Sequence, residues 1–154
     1  DQLSIVTHSM GGLVVREMLA RPQAVRARAL TKRIVMIAPP NQGSQVAQFL
    51  ADNLLYRLLY GEAGQQLVPD HVKQMPIPDL PLAIIAGGKG DNEGYNPFLA
   101  GDDDGTVMVA ETKLDQANHF MILQDIHGLI AKSPFVVAPI VHFLQNENLG
   151  VRDE

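Results

Sequence analysis

The stretch Leu3-Ser4-Ile5-Val6-Thr7-His8-Ser9-Met10-Gly11-Gly12-Leu13-Val14 decides how this chain is read. Residues 3–7 combine apolar and β-branched side chains, as a short strand does. The run from His8 to Gly12 reads as a turn, and residues 13–20 read as a helix closed by Arg21-Pro22. A strand that passes into a helix through a sharp turn, with serine at the apex, lifts the hydroxyl above the carboxyl edge of a sheet. Such a turn predicts positive φ at Ser9. It also places the backbone N–H of Met10 at the helix start, where it can face a developing oxyanion. The pattern is G-x-S-x-G with Thr7 in its first position, so packing must make room for a β-branched side chain there. A serine that merely caps the following helix is the alternative reading.

Outward from this turn, Arg33 to Ala38 and Leu82 to Ala86 are nearly all apolar, as in strands buried on both faces of a parallel sheet. Phe120 to Leu123, with Asp125 as its outer limit, reads as a fourth strand, and Phe135 to Gln145 as the last helix. Apolar residues from Val46 to Tyr60 fall at helical spacing, with Gly61 as a stop. Residues 24–32 are basic and Ala-rich and read as a surface connection. Residues 62–79 read as an irregular excursion, and Gly87 to Gly105 as a long loop of Gly, Asp and Asn. Strands alternating with helices imply an open α/β sheet with right-handed crossovers, in one domain over residues 1–154.

Composition agrees. The 154 residues are 46% hydrophobic and 19% charged, enough for a core without staples. The formal charge of -5 favours neither nucleic acid nor an anionic membrane. With no cysteine, disulfides, thiolate metal sites and a thiol nucleophile are excluded. The chain starts at Asp1-Gln2 and enters a strand almost at once, so strands preceding the serine turn are expected to lie outside this sequence.

Function in an open α/β sheet collects at the carboxyl ends of the strands. Ser9 follows the first strand, Asp104 lies in the loop after the third, and His127 follows the fourth. A hydroxyl needs a base to remove its proton, and the base needs a partner to orient it. His127, beside Gly128 in a tight turn, is the expected base. His8 sits in the serine turn with its side chain expected to point away. His142 lies within an apolar helix, His119 precedes its strand, and only its residue type speaks for His71. Asp104 is the expected acid, chosen by its Asp-Gly-Thr-Val context over Asp91, which stands nearer its strand. The run Asp102-Asp103-Asp104 also admits a solvated acidic loop or a hard-cation site, though the regular spacing of a calcium loop is absent. The order Ser, Asp, His is that of the α/β-hydrolases.

With these residues in place, the sequence resembles the α/β-hydrolase superfamily, and within it bacterial esterase/lipase-like proteins related to the PGAP1-type and triacylglycerol-lipase families. The match rests on Ile5 to Val14, on Ala38-Pro39-Pro40-Asn41-Gln42-Gly43-Ser44, on Asp103 to Val107 with Glu111-Thr112, and on the strand ending at His127 with the closing helix Ile140 to Leu144. The resemblance implies Ser9 as nucleophile, Asp104 as acid, His127 as base and Met10 as oxyanion donor. It implies that residues 45–78 lie over the site as a cap or lid; Tyr56, Leu59, Tyr60 and Leu67 suit such a face and equally suit the core and surface of ordinary helices. It further implies that this sequence is the C-terminal part of such a protein, with a second oxyanion donor outside it. The expected reaction is hydrolysis of a small acyl ester or lipid through an acyl-enzyme, without metal or organic cofactor. An acyltransferase or thioesterase with the same three residues, or a non-catalytic binding module on this fold, are the alternatives.

Overall fold

The computed structural model describes residues 2–43 and 72–150. Their elements are β1 (Leu3–His8), α1 (Gly11–Ala20), a 3-10 turn (Pro22–Ala24), α2 (Val25–Leu30), β2 (Thr31–Ile37), β3 (Leu82–Gly88), α3 (Val109–Thr112), β4 (His119–Gln124), α4 (His127–Ile130) and α5 (Pro134–Asn146). The four strands form one sheet in the order β1-β2-β3-β4, and every neighbouring pair is parallel. All carboxyl ends therefore lie along one rim. The helix expected over Val46–Tyr60, most of the cap region 45–78, and His71 fall outside the described residues.

The two central strands explain their own composition. Side chains alternate across a strand, so Ile34, Met36, Leu82 and Ile84 face one side, and Val35, Ile37, Ala83 and Ile85 the other. The first set packs on Val15 and Leu19 of α1, with Leu114 beside them. The second packs on Ile130 of α4 and on Val136 and Phe143 of α5. Each face is covered, which is why both strands are apolar throughout. Burying each of these side chains larger than alanine stabilises the fold by roughly 1.5–3 kcal/mol before chain entropy is subtracted.

Two buried arginines tie the layers together. Arg16 of α1 is 1% exposed and donates to the carbonyl oxygens of Asn41, Val72, Met75 and Pro76. It thereby joins the helix behind Ser9 to two separate loops. Arg33 on β2 donates Nη1 to Leu144 O at 2.7 Å and pairs Nη2 with Glu147 at 2.6 Å. It satisfies a carbonyl left open at the C-terminal end of α5.

Residues 24–32 correct the sequence expectation, because 25–30 form α2 rather than a plain connection. None of its residues is buried, so it has no apolar stripe to read. Arg28 holds its packing by donating to Leu19 O and Arg21 O, and Thr31 Oγ1 donates to Ala27 O.

Candidate active site

The turn after β1 has the conformation that its sequence predicts. Ser9 lies at φ 55°, a left-handed value costly for a side chain with a Cβ. Its N–H donates to Ile37 O on β2 at 2.8 Å, and its carbonyl accepts from Gly12 N. Thr7 is accommodated by Gly11, where an added Cβ would stand 3.3 Å from Thr7 Cβ. Met10 begins the helix turn, and among the described residues its N–H has no acceptor. It stands at the positive end of α1.

Ser9 meets a residue from the far edge of the sheet. His127 Nε2 lies 2.8 Å from Ser9 Oγ, and His127 Nδ1 lies 2.7 Å from Asp104 Oδ2. A carboxylate accepts, so Nδ1 carries the hydrogen and Nε2 is left as acceptor for the Ser9 hydroxyl. The Asp104 side chain is wholly buried, while that of His127 is 15% exposed. Asp104 divides its two oxygens. Oδ2 faces the imidazole, and Oδ1 accepts the N–H groups of Thr106 and Val107 at 3.0 and 2.8 Å. The same two residues also join through the backbone, because His127 N–H donates to Asp104 O at 2.8 Å.

The neighbouring carboxylates are engaged by their own loop. Asp102 accepts from Lys89 N and Gly90 N, and Asp103 Oδ1 from Asn96 N and Gly105 N. Asp91, the rival acid, accepts from Glu93 N and Gly94 N, and those backbone hydrogen bonds lower its pKa. It closes a local turn. Among the described residues, no three or more acidic or histidine side chains gather to hold a metal ion.

Three expectations change. His8 does not point away: its Nε2 stands 3.0 Å from His127 O, and the two rings are 4.9 Å apart. His127 does not sit in a tight turn made by Gly128 but opens the short helix α4. Gly87, in a stretch whose sequence reads as loop, is the last-but-one residue of β3, and an added Cβ would stand 2.7 Å from Asp104 Cβ. Its lack of a side chain makes space for the acid. Of the other histidines, His119 begins β4 at the amino rim and packs against Phe143, and His142 bonds Asn148 O.

Similarity to known proteins can be set against this geometry. A scan against protein-family models returns no match, and a search of curated protein sequences returns none either. Solved structures do match. The mature lipase BlEst2 of Bacillus licheniformis superposes with TM-score 0.71 at 21% identity, over 96% of this chain and 66% of that one. Its propeptide form gives 0.71 at 20%, over 98% and 36%. The metagenomic carboxyl esterase MGS0156 gives 0.65 at 18%, over 84% and 46%. The chain has the α/β-hydrolase fold. It spans just under two thirds of the mature BlEst2 chain and about half or less of the other two chains. In that fold, the rim carrying Ser9 and His127 is where ligands meet the sheet. Among the described residues, no helix is long and apolar enough to cross a membrane.

Proposed function

We propose that this protein is a serine carboxylic-ester hydrolase, with Ser9 as nucleophile, His127 as general base and acid, and Asp104 as the group that orients and stabilises the imidazole. One observation carries the reading: the unbroken chain of short contacts from Asp104 Oδ2 through both nitrogens of His127 to Ser9 Oγ. In it, His127 Nε2 takes the hydroxyl proton as Ser9 Oγ bonds to the ester carbonyl carbon. The carbonyl oxygen becomes an oxyanion, and Met10 N–H donates to it. Collapse breaks the bond to the alkoxy group, which leaves with the proton from His127. Water then enters by the same route in reverse roles and releases the acid, restoring Ser9.

The buried carboxylate beside Nδ1 favours imidazolium at the moment it forms, because charges attract more strongly where water is excluded. The substrate class is a small acyl ester or lipid, which fits the lipase and carboxyl esterase among the structural neighbours. The test is hydrolysis of p-nitrophenyl esters of rising chain length. The protein turns them over, and Ser9→Ala lowers kcat/KM by roughly 10⁴-fold or more while melting as the parent does. Equal rates in parent and Ser9→Ala would remove the proposal.

A further inference from the structure

His127 is the first residue of α4, and a histidine at the start of a four-residue helix is not held by the helix itself. Such short helices are marginal, and what fixes this one must come from outside it. Two groups do so. Asp104 O accepts the His127 N–H at 2.8 Å, and His8 Nε2 stands 3.0 Å from the His127 carbonyl oxygen. Both backbone polar groups of residue 127 are thus engaged by residues of the rim. Asp104 adds a second point of attachment at the imidazole. His8 adds a ring face, with centroids 4.9 Å apart and planes inclined by 39°.

Resting on the hydrolase reading above, we propose that His8 is a positioning residue for that reaction: as a neutral imidazole it donates Nε2–H to the His127 carbonyl and braces the catalytic ring toward Ser9. A carbonyl oxygen accepts only, so His8 carries its hydrogen on Nε2 and its Nδ1 is bare. Neutrality matters because His127 turns cationic when it takes the serine proton. A second cation at ring-contact distance would oppose that charge and slow the step.

The surroundings keep His8 neutral. Burial lowers its pKa first and His127 lowers it further, while the hydrogen bond to the His127 carbonyl and the Asp104 charge act the other way. Those two residues, from α4 and from the loop after β3, are the titratable groups acting on it. On β2, its pairing partner is the apolar Ile37.

The experiment compares parent, His8→Gln and His8→Phe by kcat and KM for one p-nitrophenyl ester across the pH range, with melting curves alongside. Gln carries an N–H donor at similar reach and cannot take a proton. Phe keeps the ring and loses the donor. His8→Phe lowers kcat by about tenfold or more with KM little changed, as expected when a reacting group is misplaced, and His8→Gln recovers most of that loss. Toward acid pH, kcat/KM falls more steeply in the parent than in His8→Gln, because only the parent can place a second cation beside His127. If His8→Phe keeps kcat within about twofold, or the acid limbs of parent and His8→Gln fall equally steeply, the assignment is overturned. Should His8→Phe fail to fold, the acid limb of His8→Gln against that of the parent decides. A parent without esterase activity would bring down the hydrolase reading and this one with it, whereas an active parent with indifferent variants brings down this one alone.

Discussion

Ser9 and His127 come from opposite edges of the sheet, and they are held in opposite ways. Ser9 is fixed by its own backbone: a left-handed φ, one hydrogen bond to β2, and the start of α1. His127 is fixed by what surrounds it, through Asp104 at N–H and Nδ1 and through His8 at the carbonyl. The difference teaches where precision comes from. A strained turn determines one atom's position locally, but a rotatable ring needs partners from other elements. Substitutions on the two sides should therefore fail differently.

Among the groups that hold Ser9 and His127 in place, the largest effect falls on the surrounded side. Asp104→Asn keeps the shape but offers Nδ1 no full negative charge, and can favour the wrong imidazole tautomer. We expect kcat to fall by about 10³–10⁴-fold with the fold intact, measured with a p-nitrophenyl ester and a melting curve. Gly87→Ala comes next. Its Cβ would overlap Asp104 Cβ at 2.7 Å, so the acid must move. A displacement near 1 Å predicts a loss of about 10²-fold in kcat, again read from ester kinetics.

On the locally fixed side the expected loss is smaller. Gly11→Ala places a Cβ 3.3 Å from Thr7 Cβ, a crowding that a shift of a few tenths of an ångström relieves. Activity should fall by only about two- to tenfold, on the scale of mild overpacking, and Thr7→Gly in the same chain should restore it. A full loss in Gly11→Ala would show that the serine side is no more tolerant than the histidine side.

The smallest effect is on stability. The pKa of His8 is lowered from 6.5 in the folded protein, chiefly by burial. Above that value His8 is neutral in both folded and unfolded chains, and its contribution is fully present. As pH falls below it, the unfolded chain takes up the proton first, so stability declines until the folded pKa is passed. The melting temperature should drop less on acidification in His8→Gln than in the parent.

What could be read in advance follows from which forces act along the chain. The central strands were legible because burial on two faces leaves an uninterrupted apolar run, as in Ile34 to Ala38 and Leu82 to Ala86. Ser9, Asp104 and His127 were legible as positions, because each stands past the carboxyl end of a strand in a parallel sheet. Their meeting at 2.7 and 2.8 Å is geometry that only the fold supplies. The helix α2 was not legible, since none of its residues is fully buried and only Ala27 touches the core. His8 was misjudged because periodicity says which face of a strand a residue takes, not how a ring turns at the strand's end. Gly87 was missed for a related reason: its importance lies in a contact with residue 104, seventeen positions on, and no local pattern records that.

The central claim is that the hydroxyl of residue 9 is activated by the imidazole of residue 127. Treatment with a fluorophosphonate, followed by peptide mapping in parent and His127→Ala, tests it most directly. The account predicts rapid phosphonylation of Ser9 in the parent and almost none in His127→Ala. A folded parent that stays unmodified, or a Ser9 that reacts as fast without the imidazole, would contradict it.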